Sequence, residues 1–216
     1  MQYKMSPEEY FKQLINLYQE ARNPRFYNPN ILRGRSKSVS SDMEDLTALF
    51  LALNLSRHAM FYTDQPVKFT GQRQSKYPDI LIHESSGQIK HLVDTKTDMG
   101  WNRNGVLPFC KEWDALIESV KGTETEFKTG KDGQIVQGVF STDLKYHVVV
   151  ASEVNSGRQI LEDYERVKSE CQNVNLYLLS KGCHPNSYKY SPQGILENIE
   201  VNHSDFERLV QTIEQA

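Results

Sequence analysis

At 216 residues, 38% hydrophobic and 25% charged, the chain has ordinary globular composition and enough length for one sizeable core, so one domain is expected. No apolar run approaches the ~20 residues of a membrane span, and the opening MQYKMSPEEYFKQL lacks the apolar centre of a signal peptide, so a cytoplasmic location is expected. A net charge of −3 argues against a protein that merely coats nucleic acid through a general basic excess. The basic residues are gathered locally: Arg25, Arg33, Arg35 and Lys37 fall in one stretch, Arg73 and Lys76 in another. Cys110, Cys171 and Cys183 are far apart and form no metal-ligand spacing, so reduced thiols are expected.

Ser6-Pro7-Glu8-Glu9 predicts a helix to about Arg22, with Ser6 as cap, Pro7 in the first turn and Glu9 closing a capping box. Residues 23–40 are rich in Asn, Pro, Gly and Ser and read as a loop. Ser41-Asp42-Met43-Glu44 predicts a second helix through about Ser56, apolar over most of its circumference and therefore buried. Strands are expected over 59–69, bent near Pro66, and over 78–84 and 89–96, joined by Ser85-Ser86-Gly87-Gln88. A helix from about Pro108 to Lys121 comes next, then short strands around a hairpin turn at Gly130-Lys131-Asp132-Gly133. A buried strand over 145–151, an amphipathic helix over 157–172 and a strand over 175–180 precede a last helix from Ser204, where Glu207 would complete a capping box. Three successive strands followed by alternation predict an α/β protein with a mixed sheet flanked by helices.

The chemistry centres on the hairpin of 78–84 and 89–96. If its turn is symmetric about Ser86-Gly87, paired residue numbers sum to 173. Glu84 then faces Ile89 and Asp79 faces Asp94, with Cβ atoms ~4.5–5.5 Å apart, where like charges repel. Lys96 follows Asp94 by two and shares its face; a one-residue slip would separate the two carboxylates. Two carboxylates held so close invite a divalent cation, and Mg²⁺ commonly uses one or two carboxylates plus substrate phosphate. Lys96 could orient or deprotonate the attacking water and offset developing charge. A surface hairpin carrying an ordinary Asp–Lys pair is the plainer reading of the same residues.

Pro78-Asp79, fourteen intervening residues, then Asp94-Thr95-Lys96 resembles the signature of the PD-(D/E)XK nuclease superfamily. That resemblance implies a restriction-endonuclease-like core (α-β-β-β-α-β) over about 41–151, an N-terminal helix and basic loop over 1–40, and a C-terminal α/β extension over 152–216. It implies Asp79 and Asp94 as metal ligands, the Thr95 carbonyl as a further one, and Lys96 as the catalytic lysine. Many members also place a Glu near the metal from the first core helix. Glu44 fits best, because Ala48, Leu51 and Leu55 continue its face, although Glu44 also stands where a capping-box Glu belongs; Asp42 and Asp45 are rival carboxylates.

The activity so implied is Mg²⁺-dependent hydrolysis of DNA, with Mn²⁺ able to substitute. A type II restriction endonuclease acting as a homodimer is the leading expectation, since cutting both strands needs two sites. A repair, junction-resolving or phage-defence nuclease, and a non-catalytic nucleic-acid-binding domain of the same fold, are the alternatives. Arg33, Arg35 and Lys37 are candidate backbone contacts. Arg73 and Lys76 in one loop, and Asn102 and Arg103 beside Trp101 in another, are candidate substrate contacts. His184-Pro185-Asn186 has no partner at metal spacing and reads as a turn.

Overall fold

Helices form where caps and apolar periodicity agree. In the computed structural model, which describes residues 3–26, 28–56, 58–73, 75–100, 104–130 and 132–215, α1 spans Pro7–Ala21 and starts with the expected Ser6/Glu9 capping box. Helix α2 spans Ser40–Asn54 but begins before the expected cap: Val39 occupies the cap position and no side chain caps the helix. Ser41 therefore lies inside the helix, and the Ser41–Glu44 capping box does not form, which frees the Glu44 carboxyl for other contacts.

Strand β1 is only Ala59–Thr63. Asp64 takes a left-handed backbone (φ 48°), and Val67 pairs only with Lys76 beyond it. Thus the expected strand over 59–69 ends early, while Val67 and Phe69 serve as core residues. Strands β2 (Ile80–Glu84) and β3 (Gln88–Lys96) form the expected hairpin. Helix α3 (Val106–Val120) leads to β4 (Glu124–Lys128) and the long β5 (Ile135–Val150). The polar Ser141–Leu144 stretch is carried within β5 as a register shift against β3, so the two strands expected there are continuous.

Helix α4 (Ile160–Glu170), β6 (Val174–Leu178) and a small two-stranded sheet of β7 (Ser180–Lys181) and β8 (Glu200–Val201) make up most of the extension. They are joined by α5 (Pro192–Asn198) and α6 (His203–Gln215). The last helix begins before Ser204, and Asn202 accepts from the Asp205 amide, so the expected Ser204 start is displaced.

The main sheet is mixed, with order β1-β2-β3-β5-β4 and β6 also on β5. β1, β2 and β3 run antiparallel, whereas β3, β5 and β6 run parallel through the α3 and α4 crossovers. Strand alternation sends Ile80, Ile82, Val93 and Val149 to one face, under α1, α2 and α6. Leu81, Leu92, Val148 and Val150 go to the other, under α3 and α4. On the first face Tyr10, Phe50 and Phe206 meet edge to face at 5.1–5.8 Å, tying three helices together. No helix among the described residues is long and apolar enough to cross a membrane.

Two buried carboxylates tie the helices to one another and to the sheet. Asp163 on α4 accepts from the Val106 amide at 2.7 Å and so caps α3 from outside. Gly105 (φ 80°) is needed there, because a Cβ would collide with that carboxylate. Asp205 accepts from the Leu178 amide and the Tyr164 hydroxyl, each at 2.7 Å, and pairs with Arg208 at 2.9 Å. Asp205→Ala would leave the Leu178 amide and the Tyr164 hydroxyl without their acceptor and Arg208 without its carboxylate, though still bonded to the Leu176 carbonyl, and is expected to cost about 3–5 kcal/mol. Urea unfolding of the two proteins measures that loss.

Candidate active site

The pairing of β2 with β3 runs Ile80↔Val93, Leu81↔Leu92 and Ile82↔His91. One step beyond Ile80, this register sets Asp79 opposite Asp94. Towards the turn it shifts, and His83 faces Ile89. The symmetric turn and the Glu84–Ile89 pair expected from the sequence are therefore corrected: a bulge absorbs one residue and Gly87 (φ 85°) makes the turn. The bulge lies at the far end from the carboxylates, so the register beside them is the expected one.

Asp79 is held from two sides. Its backbone carbonyl accepts from the Asp64 amide at 2.9 Å, extending the ladder towards β1. Its carboxylate oxygen Oδ2 accepts from the Thr95 amide at 2.5 Å and the Thr95 hydroxyl at 3.1 Å. The side chain thus takes the place of the next ladder carbonyl, which fixes the carboxylate against β3. Lys96 Nζ lies 2.7 Å from Asp94 Oδ2, 3.7 Å from Asp79 Oδ2 and 3.2 Å from the Thr95 carbonyl oxygen. The Asp79, Asp94, Thr95 and Lys96 groups named from the sequence are brought together within this small patch.

Asp94 is only 5% exposed. Burial pushes its carboxyl up, the Lys96 charge pulls it down, the Asp79 charge raises it again, and it comes to rest at about 7. Asp94 Oδ2 is partnered by the Lys96 ammonium at 2.7 Å. Among the described residues no three His, Cys, Asp or Glu side chains converge as a metal cluster. The oxygen groups gathered here are two carboxylates and one backbone carbonyl, those of Asp79, Asp94 and Thr95.

Glu44 reaches this patch from α2. Burial, then the charges of Asp79 and Asp64, push its carboxyl up to about 7, against the opposing pull of Lys96. It stands beside the pair without closing a three-carboxylate cluster. Its rivals Asp42 and Asp45 are exposed. Comparison with protein-family models, curated proteins and solved structures gave no match.

Among the expected substrate contacts, Arg35 and Lys37 line a cleft of about 1170 Å³ that also takes in Thr97 and Asp98, the residues directly after Lys96. Arg33 is exposed and donates to the Arg35 carbonyl. Arg73 is exposed, and Lys76 lies 5.9 Å from the Trp113 ring centre. Asn102 and Arg103, like Trp101, lie outside the described residues. Tyr146 is a neighbour the sequence did not single out. It pairs with Leu92 across the β3–β5 ladder, stacks on Trp113 at 4.0 Å and has a buried hydroxyl without a hydrogen bond among the described residues. Burial and then the charge of Asp94 push that hydroxyl well above its ordinary value. The run Lys145–Ala151 reads only as a buried strand, so nothing in it marks Tyr146 for the site.

Proposed function

We propose that the protein is a divalent-cation-dependent endonuclease that hydrolyses DNA phosphodiesters, built on a restriction-endonuclease-like core. The observation that carries this reading is the closure of Asp79, Asp94 and Lys96 into one patch by the β2–β3 register, with a buried Asp94 carboxylate 2.7 Å from the Lys96 ammonium. Support for the core comes from the succession α2, β1, β2, β3, α3, β4, β5, in which β4 is an added strand before β5 and β3 and β5 run parallel.

Asp79, Asp94 and the Thr95 carbonyl are the groups that would hold Mg²⁺ or Mn²⁺; the bound ion supplies Lewis acidity to the phosphate. Thr95 keeps Asp79 in place through two hydrogen bonds. Lys96 turns an ammonium towards the reacting phosphate, where it can orient water and balance the charge gathered in the transition state. Glu44, with its carboxyl near 7, is suited to accept a proton at neutral pH.

The test is incubation of supercoiled plasmid DNA and of circular single-stranded DNA with the protein in Mg²⁺ and in EDTA. Cut product from at least one of them in Mg²⁺ alone is expected, and end mapping then separates fixed-site cutting from structure-selective cutting. Both DNAs intact in both conditions would contradict the reading.

A further inference from the structure

The cleft that continues from the end of β3 has a second wall, made by residues 182–190 of the C-terminal extension. That wall is locked to the basic loop. The Tyr188 hydroxyl accepts from the Ser36 amide at 3.1 Å, and Asn186 Nδ2 donates to the Ser36 hydroxyl at 3.0 Å. Arg22 donates to the Ser187 carbonyl at 2.9 Å and lays its guanidinium 4.2 Å from the Tyr188 ring centre. One face of the Tyr188 ring is thus occupied and its hydroxyl is fixed, yet the residue is 62% exposed. A large aromatic ring held rigidly in a polar cleft, with its other face open, is a platform for a flat ring.

The charge in the cleft is sorted to match. Its two carboxylates are engaged: Asp98 with His184 Nε2 at 3.3 Å and the Gly100 amide at 3.0 Å, Glu200 with Lys181 at 3.2 Å. The Asn186 amide donates to His184 Nδ1 at 2.9 Å, which leaves the ring proton on Nε2, facing Asp98. Arg35, Lys37 and Lys189 have no carboxylate pair among the described residues. Three cations without a carboxylate partner among the described residues, Lys189 resting 5.0 Å from the Tyr190 ring centre, and a fixed aromatic platform in a concave groove are the features that grip an unpaired strand, by phosphate pairing and base stacking. Duplex readers, in contrast, insert a helix or ribbon into a groove of the DNA.

We infer that this cleft binds a single-stranded segment of nucleic acid leading to the Asp79/Asp94/Lys96 patch, with Tyr188 stacking on a base and Lys189, Arg35 and Lys37 pairing with its phosphates. The inference rests on the nuclease reading for its biological use, but it is tested by binding alone. Fluorescence anisotropy in EDTA, where no metal-dependent cutting occurs, compares a labelled oligothymidylate twelve-mer with a twelve-base-pair duplex. The full-length protein is expected to bind the single strand more tightly. Tyr188→Ala should weaken that binding roughly fivefold to a hundredfold, whereas Tyr188→Phe, which keeps the ring, should stay within about threefold. Lys189→Ala, at an exposed position, should lower the slope of log affinity against log salt by about 0.7.

Tighter binding of the duplex would overturn the inference, and so would equal binding of the strand by the wild type and Tyr188→Ala, or no binding of either oligonucleotide. Tyr188-dependent binding by a protein that never cuts DNA would sustain the cleft and defeat the nuclease reading. Cutting that needs Asp94 but ignores Tyr188 in both binding and rate would do the reverse.

Discussion

Asp94→Asn is expected to abolish DNA cleavage and, in EDTA at pH 8, to raise the melting temperature. The cause is the position of the Asp94 carboxyl, which burial beside Asp79 lifts to about 7 despite Lys96. A carboxyl raised in the fold binds its proton more tightly there than in the unfolded chain. Its ionised form therefore penalises folding fully above pH 7. The penalty fades as pH falls from 7 towards the unfolded value near 4, where both states are protonated. Asparagine carries no such penalty, so its advantage is on the order of 2–4 kcal/mol at pH 8 and vanishes near pH 4. His147, buried and pushed down to about 3 by that burial, destabilises both proteins alike between pH 6.5 and 3 and cancels in the difference. Mg²⁺ should narrow the gap by binding the folded wild type. A lower melting temperature for Asp94→Asn at pH 8 would remove the claim that this carboxylate is held against its own solvation.

Lys96→Met is expected to lose cleavage by roughly 10²–10⁴ and to move stability the other way. It keeps a stem of similar length but removes the cation within 4 Å of both Asp79 and Asp94. Breaking a fully buried pair costs about 3–5 kcal/mol. Here the lysine side chain is 21% exposed, so about 1–3 kcal/mol is expected, given the weakness of exposed pairs. Thermal melts in EDTA and cleavage rates in Mg²⁺ on the same preparations check both effects. Two inactive variants of opposite stability would show that activity is not being lost through misfolding.

Much of this site is legible in the sequence, because strand periodicity and a short turn constrain it. Asp94 and Lys96 share a face through period two alone. Asp79 meets Asp94 only because the register near Ile80 follows the expected sum, while the bulge between Ile82 and His83 falls harmlessly towards the turn. Glu44 is ambiguous for a local reason, since Ser41 offers a cap; the cap position falls two residues earlier, at Val39, and that cap is not made.

Tertiary choices were less legible. Val67 and Phe69 look like strand residues, but Asp64 turns the chain and they pack into the core, Phe69 stacking on Phe140 at 5.0 Å. Ser191-Pro192 repeats the start signal of Ser6-Pro7, yet α5 is too short for periodicity to reveal it. The wall carrying Tyr188 depends on contacts between residues 150 and 152 positions apart, Ser36 with Asn186 and with Tyr188, and no local pattern encodes those.

The central claim is that Asp79, Asp94 and Lys96 form a hydrolytic centre that works with a divalent cation. Its most direct measurement is the cleavage rate of plasmid and of circular single-stranded DNA by wild type, Asp94→Asn and Lys96→Met, each with Mg²⁺ and each with EDTA. Cutting by the wild type in Mg²⁺ alone, with both variants slower by at least about a hundredfold, is the expected result. Equal cutting by all three proteins, or none by the wild type, would contradict it.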